Sequence, residues 1–180
     1  MPRITDRISY NGFDTLVSRH RLDPLVDEVE DVITGFTLAV MPTKHANGTK
    51  PIRVSFDQGF MACGGWQQKP SGGVDWSKSG PKGGRLGVEV QVSGRSDLLA
   101  VDVLHLMGEL QEGNLDVGII IVPDDEPSPF LTDRTPNLRT AKRHVETHAS
   151  KMPLQLIAFV HDRTGKAIPK VRTNLGRGTK

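Results

Sequence analysis

The sequence predicts an α/β fold in which helices flank a mixed central β-sheet. Three observations carry that expectation. From residue 74 onward the segments run β, β, α, β, α, β, an alternation that builds sheet-and-helix layers. Residues 114–122 and 154–160 are continuous apolar runs, as strands covered on both faces require. The first two strands are joined by Ser79 to Gly84, which holds a proline and three glycines, so they pair as an antiparallel hairpin.

The elements follow in chain order. Residues 1–21 are mixed and basic with weak periodicity, and Leu16 and Val17 mark at most the start of a helix. Asp23-Pro24 predicts a helix start, with Asp23 as cap and Pro24 at the first helical position. Leu25, Val29, Val32 and Ile33 then recur at helical spacing, and Gly35 ends the run. The acids Asp27, Glu28, Glu30 and Asp31 occupy the other sides, which reads as a solvated face. Phe36 to Met41 is a short apolar run and Pro42 to Lys50 a loop. Pro51 opens a second helix to about Cys63, although Val54-Ser55-Phe56 has β character, and Gly64-Gly65 stops it.

Val74 to Ser77 and Leu86 to Val92 are the hairpin strands. Ser96 caps a helix to about Leu110, whose apolar residues cover most of its circumference, so it should be largely buried. After the strand at 114–122 comes a proline-rich loop, Pro123 to Arg134. Thr135-Pro136 begins a helix with Leu138, Ala141, Val145 and Ala149 as its apolar stripe, and Pro153 breaks it. The strand Leu154 to Val160 is last, followed by a basic, irregular segment. Nothing marks a second domain or an internal repeat, so 1–180 reads as one domain.

Composition narrows the function classes. With 36% hydrophobic and 24% charged residues, the chain is of globular rather than disordered type. The 23 basic and 21 acidic residues give a formal +2, which neither requires nor excludes nucleic acid. Their distribution is uneven: Arg163, Lys166, Lys170, Arg172, Arg177 and Lys180 close the chain with no acid among them, and acids crowd Asp23 to Asp31. Such a field steers a polyanion to one surface, or is simply a solvated tail. A single cysteine, Cys63, allows no internal disulfide and most simply fills a small buried space. A polar, charged start and the lack of a long apolar run point to the cytoplasm.

The hairpin carries the candidate chemistry. Glu89 and Gln91 project from one face of their strand and Val88, Val90 and Val92 from the other. Two polar groups on a core-grade strand are costly to bury, so that face is either wet or binds something. Asp75 lies on the partner strand. Two carboxylates from adjacent strands, with the Val90 carbonyl, form a hard-oxygen set suited to Mg²⁺. An ion there would lower the pKa of a water and stabilise charge building on a phosphate. Gln91 cannot serve as a base but can position the water. The Ser79–Gly84 link is not a phosphate-binding P-loop, because the lysine–Ser/Thr ending is missing and no helix follows.

On these residues, Val74-Asp75-Trp76 followed by Val88-Glu89-Val90-Gln91, the chain resembles the BglII-like group of type II restriction endonucleases, within the PD-(D/E)xK nuclease superfamily. The resemblance extends through the apolar helix, Leu115 to Pro123, the helix at 136–149 and the strand Leu154 to Val160, covering about 50–161. Most of that fold has lysine where Gln91 stands, so Glu-x-Gln is the more specific sign. The resemblance implies a three-layer restriction-endonuclease-like sandwich and a Mg²⁺-dependent hydrolase of double-stranded DNA. It implies Asp75 and Glu89 as metal-binding acids, the Val90 carbonyl beside them, and Gln91 in the lysine position. A further polar residue on the preceding helix matches Asp57, or Gln58 next to it. It also implies a homodimer acting on a palindromic site with a GATC core, as part of a restriction-modification system.

Candidate DNA contacts follow from position. Ser93, Arg95 and Ser96 come directly after the catalytic strand, and Arg134 and Asn137 stand at a helix start. Lys78, Lys82 and Arg85 are candidates for phosphates. The helix near Asp23 or that at 136–149 could form the dimer interface. Two other readings stay open: a DNA-binding protein that has lost cleavage, which Gln91 keeps alive, and a zinc hydrolase built on His144 and His148, four apart on one helix.

Overall fold

The computed structural model of the protein describes residues 1–68, 73–92 and 98–171. A six-stranded sheet runs through it, built from β1 (Arg3–Ser9), β3 (Gln67–Gln68), β4 (Trp76–Ser79), β5 (Arg85–Val90), β6 (Val117–Pro123) and β7 (Leu154–Val160) in the spatial order β1-β7-β6-β5-β4-β3. The β5-β6-β7 block is parallel, and antiparallel pairs complete both margins. The sheet is therefore mixed, as the segment order predicts. A separate parallel pair joins β2 (Ala39–Val40) to β8 (Arg163–Thr164).

Each face of the sheet has its own core. Helices α1 (Phe13–His20), α2 (Asp23–Thr34) and α3 (Lys50–Cys63) pack Phe13, Val29, Phe56 and Phe60 against Val88, Val90, Ile119 and Phe159. Helices α4 (Leu98–Gln111) and α5 (Leu138–His148) pack Leu99, Val103, Leu106 and Val145 against Ile120, Val122 and Leu156. Period-two alternation along β6 sends successive isoleucines to opposite layers, so a continuous apolar run is what a three-layer sandwich needs. Every residue of β6 and β7 is buried.

Several boundaries differ from the sequence expectation, each for a local reason. β1 and α1 form where periodicity is weak, because β1 is a margin strand with only Ile4 and Ile8 half-buried. Its register slips between Ile4 and Asp6, a bulge. Asp23 lies inside α2; Leu22 precedes the helix and no side chain caps it. Thr135-Pro136 does not open α5. Asn137 is the cap, its Oδ1 accepting the Thr140 amide at 3.0 Å, while Thr135 Oγ1 donates to the Thr132 carbonyl. Ser96 lies outside the described residues. α4 is not largely buried: Leu98, Val101 and Leu104 are 49%, 42% and 43% exposed. Cys63 is exposed rather than buried.

The hairpin tip is braced against its own chain. A Cβ at Gly80 would meet Leu22 Cδ2 at 2.5 Å, and one at Gly84 would meet His20 Cβ at 2.7 Å. The open ends of β5 and β6 lie at the other end of the hairpin, where Gln91 stands.

Candidate active site

Register places the two hairpin acids side by side. Trp76 pairs with Val88 across β4 and β5, so Asp75 and Glu89 are opposite one another at the next step. The Asp75 carboxylate is fixed there, its Oδ2 accepting the Val90 amide at 2.8 Å. Strand parity then turns Glu89 and Gln91 to one face, and that face is dry: they are 3% and 7% exposed.

Two residues the sequence reading did not include complete the constellation. Arg53, on α3, reaches over from the other layer. Its Nη1 donates to Asp75 Oδ2 at 3.0 Å and to the Val90 carbonyl at 3.1 Å. Its Nη2 pairs with Asp75 Oδ1 at 2.7 Å, and its Nε donates to Asp57 Oδ1 at 2.9 Å. Asp102, on α4, comes from the opposite layer and accepts a hydrogen bond from Gln91. Sequence spacing offered no link from Arg53 to Asp75. His105, three residues on along α4, pulls the Asp102 pKa down.

The electrostatics are those of crowded carboxyls. Burial, then the negative charge and hydrogen bond of Asp75, and then Asp102, push Glu89 up to about 10, against a downward pull from Arg53. Burial and the hydrogen bond to Asp75 thus favour the neutral form of the Glu89 carboxyl. Burial and Asp75 raise Asp102 to about 6, while His105, Arg53 and the Gln91 hydrogen bond act the other way. Burial disfavours the Arg53 charge, but its bonds to Asp75 and Asp57 outweigh that and raise its pKa.

The residues fit a divalent ion. Asp75 Oδ2 and the Val90 carbonyl already converge on one cationic nitrogen of Arg53, and Glu89 stands beside them. Hard oxygens so placed, with acid in excess of base, suit Mg²⁺ better than zinc. Among the described residues no three His, Cys, Asp or Glu side chains form a ready metal cluster. The set is two carboxyls and a carbonyl.

The other expected site residues divide by place. Asp57 touches the site through Arg53 and also accepts from Trp76 Nε1 at 3.3 Å. Gln58 is exposed and lines a cleft of about 390 Å³ between α2 and α3. Lys78, Lys82 and Arg85 lie toward the hairpin tip, four strand residues or more from Glu89 in the case of Arg85, a separation of roughly 13 Å. The Lys78 ammonium is held by Glu28 at 2.7 Å and by the Gly64 carbonyl at 2.9 Å. Lys82 is exposed, and Arg85 lines a polar hollow of about 190 Å³ with Gln67 and Ser77. Arg134 is exposed on the loop after β6, and the Asn137 amide caps α5. Ser93, Arg95 and Ser96 lie outside the described residues. His144 and His148 stack at 6.3 Å between ring centroids, with no third ligand among the described residues. Cys63 stands apart from the site, its exposed thiol raised in pKa by partial desolvation and by Glu28, against a downward pull from Lys78.

Known proteins share the family and the fold of this chain. The family described as "Restriction endonuclease BamHI" matches residues 12–177. Among solved structures, the restriction endonuclease BglII complexed with a DNA 16-mer is similar at a TM-score of 0.66 and 17% identity, over 89% of this chain and 79% of that one. Free BglII is similar at a TM-score of 0.59 and 16% identity, over 89% of this chain and 80% of that one. No curated protein matches the chain. No helix among the described residues is long and apolar enough to cross a membrane.

Proposed function

The chain belongs to the BamHI family of restriction endonucleases, type II site-specific deoxyribonucleases that are generally metal-dependent, and from that membership we propose a specific enzyme. It is a single nuclease domain over 1–180 that uses Mg²⁺ to hydrolyse both strands of duplex DNA at a short palindromic site with a GATC core. The GATC core rests on the resemblance of the hairpin motif alone. The observation that carries the reading is the convergence of Asp75 Oδ2 and the Val90 carbonyl on one cation position, with Glu89 alongside.

Asp75, Glu89 and the Val90 carbonyl would hold the ion, which supplies an acidified water and charge stabilisation at the phosphate. The chain's own residues do the rest. A carboxylate only accepts hydrogen bonds, so Gln91 turns its amide NH₂ toward Asp102 and leaves its carbonyl oxygen to orient the attacking water. Asp102 is thus a positioning residue for Gln91, and Gln91 takes no proton. Asp57 holds Arg53. Arg134 and Asn137 on the rim after β6, with Ser93, Arg95 and Ser96 after the catalytic strand, are the proposed base contacts. Lys78, Lys82 and Arg85 are proposed phosphate contacts. Free BglII and the BglII–DNA complex give the fold; the complex puts DNA on that protein.

A randomised plasmid library incubated with Mg²⁺ tests the reading. The wild type should cut at one sequence, and Asp75→Ala and Glu89→Ala should each cut at least about a thousandfold more slowly, as loss of several kcal/mol of metal stabilisation requires. Equal cutting by either variant would remove that residue from the metal site. Gln91 in the lysine position favours a second reading, a DNA-binding protein without cleavage. A discrete footprint with no cutting in Mg²⁺ or Mn²⁺ would establish it. The zinc hydrolase reading would need stoichiometric zinc in the purified protein.

A further inference from the structure

The cation position between Asp75 and Val90 is filled by the protein itself. Arg53 commits Nη1 to Asp75 Oδ2 and the Val90 carbonyl, Nη2 to Asp75 Oδ1 and Nε to Asp57. Both Asp75 oxygens and the carbonyl are therefore bonded to one guanidinium. Mg²⁺ bonds oxygen at about 2.0–2.1 Å, and the nitrogen holds these oxygens at 3.0 and 3.1 Å. An ion bonded to the same two oxygens on that side would overlap Nη1, and on any side would face a cation at close range.

We propose that Arg53 is a resident counter-cation that competes with the divalent metal for Asp75 and the Val90 carbonyl. Metal loads only as the guanidinium swings away, while Asp57 keeps hold of its Nε. This rests on the metal-site reading above and adds a gate to it. Arg53 has a way out, because its side chain is 23% exposed. Asp57 has the grip, because Trp76 Nε1 fixes the same oxygen that Arg53 Nε uses and Trp76 is itself buried and stacked on Phe60. A displaced guanidinium needs a new anion, and a DNA phosphate is one it binds in two-pronged fashion. Metal-free protein without DNA should therefore bind metal weakly, for a reason located in one side chain.

The test is a Mn²⁺ titration of the DNA-free protein by calorimetry, with the Mn²⁺-induced rise in Tm measured alongside. Wild type, Arg53→Ala, Arg53→Lys and Asp75→Asn are compared. Arg53→Ala should bind Mn²⁺ on the order of tenfold or more tighter than wild type, the weight of a charge-assisted hydrogen-bond set, and show the larger rise in Tm. Arg53→Lys keeps the charge but loses the fork, so it should fall between them. Equal or weaker Mn²⁺ binding by Arg53→Ala overturns the proposal, since that is what a plain structural strut gives. If Arg53→Ala does not fold without metal, Arg53→Lys decides by the same direction of change. Should wild type bind Mn²⁺ through Asp75 while neither Arg53 variant tightens, the gate alone is wrong. Should no protein in the set bind Mn²⁺, the metal site falls with it.

Discussion

Glu89 is 3% exposed and shares its side of the sheet with Asp75 and Asp102. Its pKa of about 10, set first by burial and then by Asp75, lies far above the ordinary 4.5. The unfolded chain gives up this proton above about pH 4.5, whereas the folded, metal-free protein keeps it to about pH 10. Across that window the folded state binds more protons, so Glu89 costs stability increasingly as pH rises. Glu89→Gln can still donate to Asp75 but cannot ionise. In chelator, its Tm advantage over wild type should therefore widen from about pH 6 to about pH 9; a flat or narrowing difference would contradict the buried, protonated carboxyl. Metal binding at this site should release a proton, which calorimetry in two buffers measures. In the sequence, the shared face of Glu89 and Gln91 was legible from strand parity, and Asp75 from the resemblance of the hairpin motif. Arg53 and Asp102 were not, because they come from opposite helical layers and meet the hairpin only through the fold.

Helix α3 carries Arg53 and Asp57 four apart, so its seating sets the site. Ile52, Phe56 and Phe60 face the core at four-residue steps, and that spacing outweighs the local β character of Val54-Ser55-Phe56. Both ends were readable, from Pro51 at the start and Gly64 at the stop. What the sequence did not reveal is how closely α3 crosses α2. A Cβ at Gly59 would meet Val32 Cγ1 at 2.8 Å, and a β-branched neighbour has little rotamer freedom to yield. Propensity alone would make Gly59→Ala stabilising by about 0.5–1 kcal/mol. Overpacking costs about 1–3 kcal/mol, so the expected net is a loss of up to about 2.5 kcal/mol in urea unfolding. Unchanged or increased stability would mean that α2 and α3 part without strain. β1 escaped the sequence reading because a half-exposed margin strand has no clean period.

At the scale of the molecule, the buried strands and the order of layers were legible, since two-sided burial demands unbroken apolar runs. The arrangement of copies was not. α4 is apolar around most of its circumference, yet only Leu99, Val103 and Leu106 are buried. Leu98, Val101 and Leu104 are left on the outer side. A palindromic site calls for a two-fold pair, and this row is the proposed contact, in place of α2 or α5, whose outer faces are polar. Val101→Asp with Leu104→Asp should sediment as a folded monomer and lose double-strand cutting; a wild type that is itself monomeric at micromolar concentration would refute the pairing. The strand margins bear on the same question. β1 is bulged and carries Arg3, Asp6 and Arg7, and β3 is, among the described residues, two glutamines long. Neither gives an incoming strand an uninterrupted hydrogen-bond ladder. The described margins thus offer a second copy little edge to add to, and the proposed contact through α4 would close as a two-fold pair.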